Sequence, residues 1–158
     1  MINQLHLAMI GLYHGDAERI QHFCKVHSYA KLIAESEQVD EKCLFTLEAA
    51  ALTHDIGIHL CEEKYGNCNG KTTGKKEGPA LAEKAALENW ALIVTFLKRV
   101  QYLIAHHHTY DAIDAIDYQI LVEADFLVNI MEGALSKESA RNIYQNIFKN
   151  NLWKRRSA

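Results

Sequence analysis

The sequence predicts an all-α fold, and three of its features lead to that prediction. Apolar residues recur at helical spacing along nearly the whole chain, and the alternation typical of strands is almost absent. The chain contains a single proline, Pro79, so few helices are interrupted. Its 158 residues are 49% hydrophobic and 23% charged, which provides enough apolar material for a core and argues against disorder. We therefore expect one domain over residues 1–158, folded as a bundle of about seven helices.

Helix caps divide the first half of the chain. Asp16 and Asp40 are good N-caps for the second and third helices, because a side-chain oxygen accepts a hydrogen bond from a free N–H of the first turn. Gly57 is expected to end the third helix, and a short helix follows it. The helices expected here cover residues of about 2–13, 16–38, 41–55 and 58–64.

A glycine-rich and lysine-rich segment, YGNCNGKTTGKKEGP, opens the second half and is expected to be a loop. Its GNCNGKTT stretch is one residue short of the glycine spacing of a phosphate-binding loop and follows no strand, so we exclude that class of nucleotide triphosphatase. Pro79 fits the first turn of the next helix. The remaining expected helices cover residues of about 79–88, 90–108, 114–134 and 137–150.

The overall charge and the cysteines exclude several classes of protein. A net charge of −3 gives no broad electrostatic reason for binding a nucleic-acid polymer or an anionic membrane. No apolar run approaches the about 18 residues of a membrane span, and the N-terminus lacks the features of a signal peptide. None of the four cysteines forms a CxxC pair, although Cys61 and Cys68 are candidates for a metal site or a disulfide. We expect a reducing, cytoplasmic setting.

The stretch AALTHDIGI contains an adjacent histidine and aspartate, His54 and Asp55, inside an otherwise apolar run. A buried carboxylate without a partner is unfavourable. A helix C-terminus, where Asp55 is expected, carries partial negative charge and adds to the cost. Asp55 therefore needs a cation, which is either a metal ion or the side chain of an Arg or Lys.

Asp125 presents the same problem in YQILVEADFLVNIME, where it interrupts an apolar helical face while Glu123 points elsewhere. A lone buried acid is expected to be neutralised, paired or bound to a metal. A salt bridge and a metal ion both remain open for it.

The triplet AHHHTYD cannot direct all its imidazoles to one point, because consecutive helical residues are about 100° apart. The apolar stripe that precedes it continues onto His107 and His108, whereas His106 follows a more polar face. We expect His107 and His108 to point inward and favour metal ligation over simple core packing. In the second helix, His22 and His27 each lie about 70° from the centre of the apolar face, so helical geometry does not choose between them.

Three stretches match a known pattern in order. RIQHFCKVHSYA carries Arg19, His22, Val26 and Ala30 at the matching spacing, AALTHDIG carries the adjacent His and Asp, and LVEADFLVN carries the last Asp. Together they resemble the HD domain superfamily, which comprises all-α, metal-dependent phosphohydrolases. The resemblance spans residues of about 19–130 and implies a helical bundle of the HD-domain type.

The resemblance implies that a metal ion is held by His22, His54, Asp55 and Asp125, and it selects His22 rather than His27. Some branches of the superfamily hold two ions. HHHTYD is similar to a stretch of the HD-GYP branch, with His107 and His108 matching its histidine pair. The Gly-Tyr-Pro signature is missing, so we do not expect a cyclic-dinucleotide phosphodiesterase. No His lies between residues 60 and 105, and Glu77 is the best carboxylate substitute for the histidine that binuclear branches usually place there.

The expected cofactor is one or two divalent ions per chain, with Mn, Fe, Mg, Co and Zn all compatible with a mixed nitrogen and oxygen ligand set. The expected reaction is attack of metal-bound hydroxide on the phosphorus of a small phosphomonoester or phosphodiester, in particular a nucleotide. Asp55 is the candidate proton acceptor, and Lys64 and Lys76 are candidate phosphate contacts.

A second interpretation is a non-catalytic HD module that binds a metal or a nucleotide in a regulatory or structural role. The apolar side of the first helix packs either on the core of its own chain or on a second copy in a homodimer.

Overall fold

The computed structural model describes residues 1–66, 80–81 and 94–154. These residues form helices and connecting turns and contain no strand, which confirms the all-α prediction. The helices are α1 (Ile2–Leu12), α2 (Ala17–Ser36), α3 (Glu41–Thr53), α4 (Ile58–Tyr65), α5 (Val94–His106), α6 (Ile116–Met131), α7 (Lys137–Ile147) and α8 (Asn151–Lys154). The predicted helix at 79–88 lies largely outside the described residues, of which 80 and 81 are helical.

The predicted N-caps are present. Asp16 accepts a hydrogen bond from the N–H of Arg19 at 3.1 Å, and Asp40 accepts one from the N–H of Cys43 at 2.7 Å. The prediction for Gly57 is wrong. Its φ of −86° is not left-handed, and Gly57 is instead the N-cap of α4. The chain runs from α3 to α4 through one helical turn, so no reversal requires a glycine there.

The core forms around α2 and α3, which pack against each other. Helix α6 packs against both of them, and α5 and α1 pack against α3. The central apolar side chains are completely buried, and each contributes about 1.5–3 kcal/mol through removal from water. They include Val26 and Ile33 of α2, Leu47 and Leu52 of α3, Leu103 and Ile104 of α5, and Ile120 and Leu121 of α6. This packing brings the ends of α3 and α5 beside the middle of α2 and α6.

Glu123 of α6 is a fully buried carboxylate that the C-terminal segment satisfies. It accepts hydrogen bonds from the backbone N–H of Lys149 at 2.6 Å, from Asn150 Nδ2 at 2.7 Å and from Trp153 Nε1 at 2.6 Å. It points away from Asp125, as the sequence predicted, and its role in the fold is to fix the C-terminal segment on α6.

Two further sequence expectations concern the cysteines and the membrane. Cys61 is disulfide-bonded, whereas Cys24 and Cys43 have free thiols. Of the two alternatives for Cys61, the disulfide is therefore the one present. Within the described ranges, no helix combines the length and the apolar character needed to cross a membrane.

Candidate metal centre

Six of the predicted side chains meet where four helices converge. They form two groups, and within each group the potential ligand atoms all lie within 4.8 Å of one another. The first group is His22 of α2, His54 at the end of α3, and Asp125 of α6. The second is Asp55, His107 and His108, which follow α3 and α5. The sequence expectation placed Asp55 with the first group, and its Oδ2 does lie 3.4 Å from His54 Nε2 of that group, while its Oδ1 faces the second.

His54 is completely buried, and its hydrogen bonding fixes its tautomer. Its Nδ1 lies 2.8 Å from the carbonyl oxygen of Ala51. Because a carbonyl oxygen only accepts, Nδ1 carries a proton and Nε2 of the neutral ring carries a lone pair. His54 Nε2 lies 3.4 Å from Asp55 Oδ2 and 3.7 Å from Asp125 Oδ1. Three acceptors that face one another require positive charge beside them, from a proton on a neighbouring ring or from a metal ion.

The two carboxylate oxygens of Asp55 face the two groups. Oδ2 lies 3.4 Å from His54 Nε2, and Oδ1 lies 3.6 Å from His107 Nε2. The hydroxyl of Tyr13 donates to the backbone carbonyl of Asp55 at 2.8 Å and holds this turn in place. Asp55 therefore links the two groups through one side chain.

His22 and Asp125 complete the first group. His22 Nε2 lies 3.4 Å from Asp125 Oδ1 and 3.3 Å from His54 Nε2. Asn129, one turn after Asp125 on α6, donates from Nδ2 to Asp125 Oδ1 at 2.9 Å. That hydrogen bond restricts the rotation of the Asp125 carboxylate.

His107 carries an unsatisfied polar atom at the centre of the second group. Its ring is buried, its Nδ1 lies 2.8 Å from the carbonyl oxygen of Ile104, and its Nε2 has no hydrogen-bond partner. The 3.6 Å from Nε2 to Asp55 Oδ1 is longer than a hydrogen bond. A buried nitrogen without a partner is costly unless it binds a ligand or an ion. The neighbouring ring of His108 lies 4.0 Å away between centroids.

Protons supply positive charge to the metal-free site. Burial lowers the pKa of His22, but hydrogen bonds to Asp125 and Glu132 outweigh burial and raise it to about 9. Burial likewise lowers the pKa of His107, and the Asp55 carboxylate outweighs it, so that this pKa is raised. Burial lowers the pKa of His54. Burial and the charge of His107 together lower the pKa of His108 to about 4. Two rings are therefore neutral at pH 7, which is the form that binds metals.

Burial raises the pKa values of the two carboxyls, and the surrounding imidazoles reverse that effect. His54 and His107 lower the pKa of Asp55, and His22 and His54 lower that of Asp125. Both acids are therefore ionised at pH 7 and available as ligands. A metal ion that binds here displaces the imidazolium protons.

A cleft of about 310 Å³ opens over the site. Its lining includes His22, Asp55, His108 and Asp125, so both groups reach solvent from the same side. Its rim carries further charged residues, namely Asp16, Glu18, Arg19 and Glu132. Two ligand candidates of each group are therefore accessible to a small molecule, whereas His54 and His107 lie buried beneath them.

Arg19 and Arg99, the arginines that could have taken the place of a metal ion, form ion pairs outside the site. Arg99 is bound to Asp114 at 2.8 Å and to Asp117 at 2.6 Å. Arg19 is bound to Asp16 and to Glu62. Among the ion pairs of residues 1–66 and 94–154, those of Asp55 and Asp125 involve histidines only. The Arg or Lys alternative therefore has no support in this part of the chain.

The other candidates lie apart from the site or outside the described residues. His27 Nε2 lies 3.0 Å from Glu48 Oε1 on the far side of α2, so the structure places His22 and not His27 in the cluster. His106 stacks on Tyr102. Lys64 is exposed in the last turn of α4 and is not among the residues lining the cleft. Glu77 and Lys76 lie outside the described residues.

Three residues that support the site, Tyr13, Asn129 and Glu132, were not predicted from the sequence. Asn129 and Glu132 follow Asp125 by four and seven positions on α6, and helical spacing alone would have placed them on its face. Tyr13 reaches Asp55 across 42 positions of the chain, and no local pattern indicates that contact. Comparison with known protein families, curated proteins and solved structures found no match.

Proposed function

We propose that this protein is a metal-dependent phosphohydrolase that acts on a small phosphoester, in particular a nucleotide. The observation that supports it most is the sharing of one carboxylate, Asp55, between two groups of metal-binding side chains beneath an open cleft. The HD-type order of the motifs supports the same class.

The donor set fits divalent transition ions. Imidazole nitrogens and carboxylate oxygens without thiolates suit Mn, Fe, Co or Zn, and Mg is the weakest candidate because it prefers oxygen. His22, His54 and Asp125 would hold one ion, and Asp55, His107 and His108 would hold or share a second. The unpartnered Nε2 of His107 would then be satisfied. When bound, such ions supply an activated water and neutralise charge on phosphoryl oxygens.

The residues of the chain have distinct tasks in this scheme. Asn129 keeps Asp125 oriented, and Tyr13 fixes the turn that carries Asp55. Asp55 would accept a proton from the attacking water. Arg19 lines the cleft next to His22 and Asp55 and is the cation best placed to contact an anionic substrate oxygen among the described lining residues.

The size of the cleft favours a small substrate. Ligand pockets range over about 300–1,000 Å³, and the volume of about 310 Å³ is at the lower end. That volume suits a mononucleotide or a smaller phosphoester better than a polymer. The net charge of −3 gives no broad electrostatic reason for a nucleic-acid polymer as substrate.

Metal analysis and hydrolysis assays test this function together. Chelator-free protein is analysed for metals per chain, reconstituted with Mn, Fe, Co and Zn, and assayed on p-nitrophenyl phosphate, bis-p-nitrophenyl phosphate and a panel of nucleotides. We expect close to two ions and metal-dependent turnover. The double variant His107→Ala/His108→Ala should retain about one ion, and His27→Gln, which lies outside the cluster, should match the wild type. Failure to bind any ion after reconstitution would overturn the proposal.

A non-catalytic binding module is the second candidate, and the acidic rim of the cleft favours it. Asp16, Glu18 and Glu132 line the cleft together with the two site carboxylates, and negative charge disfavours a polyanionic substrate. Stoichiometric metal and saturable nucleotide binding without turnover on any phosphoester in the panel would select this function.

A further inference from the structure

Glu132 connects α2, which carries His22, with α6, which carries Asp125. It is the C-cap of α6, whose Asp125 belongs to the first group. One of its oxygens, Oε2, lies 2.9 Å from Nδ1 of His22 on α2. The other, Oε1, accepts from the ammonium of Lys25 at 3.0 Å, one turn after His22. Both oxygens of this carboxylate are therefore engaged.

This contact determines which nitrogen of His22 is available to an ion. A carboxylate that faces Nδ1 accepts its proton, so Nε2 carries the lone pair when the ring is neutral. Nε2 is also the atom that faces the rest of the first group, 3.3 Å from His54 Nε2 and 3.4 Å from Asp125 Oδ1. Glu132 thus holds the ring with its ligating atom directed at the site.

His22 differs in this respect from the other histidines of the cluster. The Nδ1 atoms of His54 and His107 face backbone carbonyls, and that of His108 faces the hydroxyl of Tyr110 at 3.2 Å. A charged acceptor polarises an imidazole more than a neutral one does, and it makes the opposite nitrogen a stronger donor. Of the four imidazoles, that of His22 in the first group is therefore the one whose ligating nitrogen is the strongest electron donor.

We propose that Glu132, itself held by Lys25, is a positioning residue that sets the metal affinity of the first group through His22. The inference rests on the proposed function only in requiring that an ion binds there. Glu132 makes the metal affinities of the two groups unequal, because among the described residues no comparable carboxylate contacts the Nδ1 atoms of the histidines in the second group. The first group is consequently the one that fills at lower metal concentration.

Cobalt titration of metal-free protein tests this role. Co²⁺ binding is followed by visible absorption and by calorimetry in the wild type, Glu132→Gln and Glu132→Ala, with Glu35→Ala on the exposed face of α2 as the control. Loss of an outer carboxylate partner typically weakens metal binding about 10–100-fold. We expect that loss at the tighter class of site in Glu132→Ala, a smaller loss in Glu132→Gln, and no change at the weaker class.

The outcomes separate this inference from the proposed function. Two classes of cobalt site that are the same in all four proteins would overturn the role of Glu132 and leave the metal centre standing. Equal weakening of both classes would also overturn it, because it would indicate a general structural effect. Melting temperatures of the metal-free proteins control for unfolding, and the near-isosteric Glu132→Gln carries the test if Glu132→Ala does not fold. No cobalt binding by the wild type would overturn both proposals.

Discussion

Asp125→Asn removes one charge from the first group with little change in shape. The amide oxygen of the variant can still accept the hydrogen bond that Asn129 donates to Oδ1 at 2.9 Å in the wild type. What disappears is the negative charge that lies 3.4 Å from His22 Nε2 and 3.7 Å from His54 Nε2. The variant therefore tests the charge of the ligand separately from the packing of the fold.

The size of the effect follows from Coulomb's law. The ligand atoms of the group lie within 4.8 Å of one another, so an ion among them lies close to Asp125 Oδ1. Two unit charges about 4 Å apart interact by about 4 kcal/mol at an effective dielectric constant of about 20. Since each factor of ten in Kd corresponds to about 1.4 kcal/mol, we expect at least a ~1,000-fold loss of affinity for a divalent ion.

Calorimetric titration of metal-free protein with Mn²⁺ or Zn²⁺ measures that loss, and His27→Gln serves as the control because His27 pairs with Glu48 outside the site. A second readout is the pKa of His22 in the metal-free protein, followed by NMR. It should fall from about 9, because the hydrogen bond to Asp125 no longer stabilises the imidazolium. A change in affinity of less than about tenfold, or one equal to that of His27→Gln, would refute the assignment of Asp125 as a ligand.

Three further predictions concern stability, measured by urea unfolding of metal-free protein. Asp16→Ala should lower the free energy of unfolding by about 1 kcal/mol, because α2 loses its N-cap. The hydrogen bond from His59 and the N–H of Arg19 lower the pKa of Asp16 to about 2, so its contribution should be full above its ordinary pKa of 3.8 and disappear as the pH falls towards 2. Trp153→Phe should cost about 1.5–3 kcal/mol by removing a hydrogen bond to the charged Glu123, and a loss below about 0.5 kcal/mol would contradict it. Leu47→Ala, at a fully buried position of α3, should cost about 2–5 kcal/mol, and a smaller loss would mean that the core closes over the cavity.

Local signals were sufficient for most of the helices and for their beginnings. Asp16 and Asp40 cap α2 and α3 as predicted, because an N-cap depends on a side chain and a backbone N–H only three residues away. The end of α3 was predicted incorrectly at Gly57. Glycine permits a left-handed C-cap but does not require one, and here the chain continues into α4 with Gly57 in the right-handed region.

The sequence by itself identified the side chains that were electrostatically out of place, namely Asp55 and Asp125 in apolar stretches and His107 and His108 at the end of an apolar stripe. That inference needed only helical periodicity and the cost of burying charge. The tertiary structure alone decided how they are grouped. It placed His22 beside His54, as the family resemblance had implied where helical periodicity left His22 and His27 equivalent, and it turned the two oxygens of Asp55 towards different groups. The physical reason is that periodicity assigns a residue to a face of its own helix, whereas the partner of that face depends on how separate helices pack.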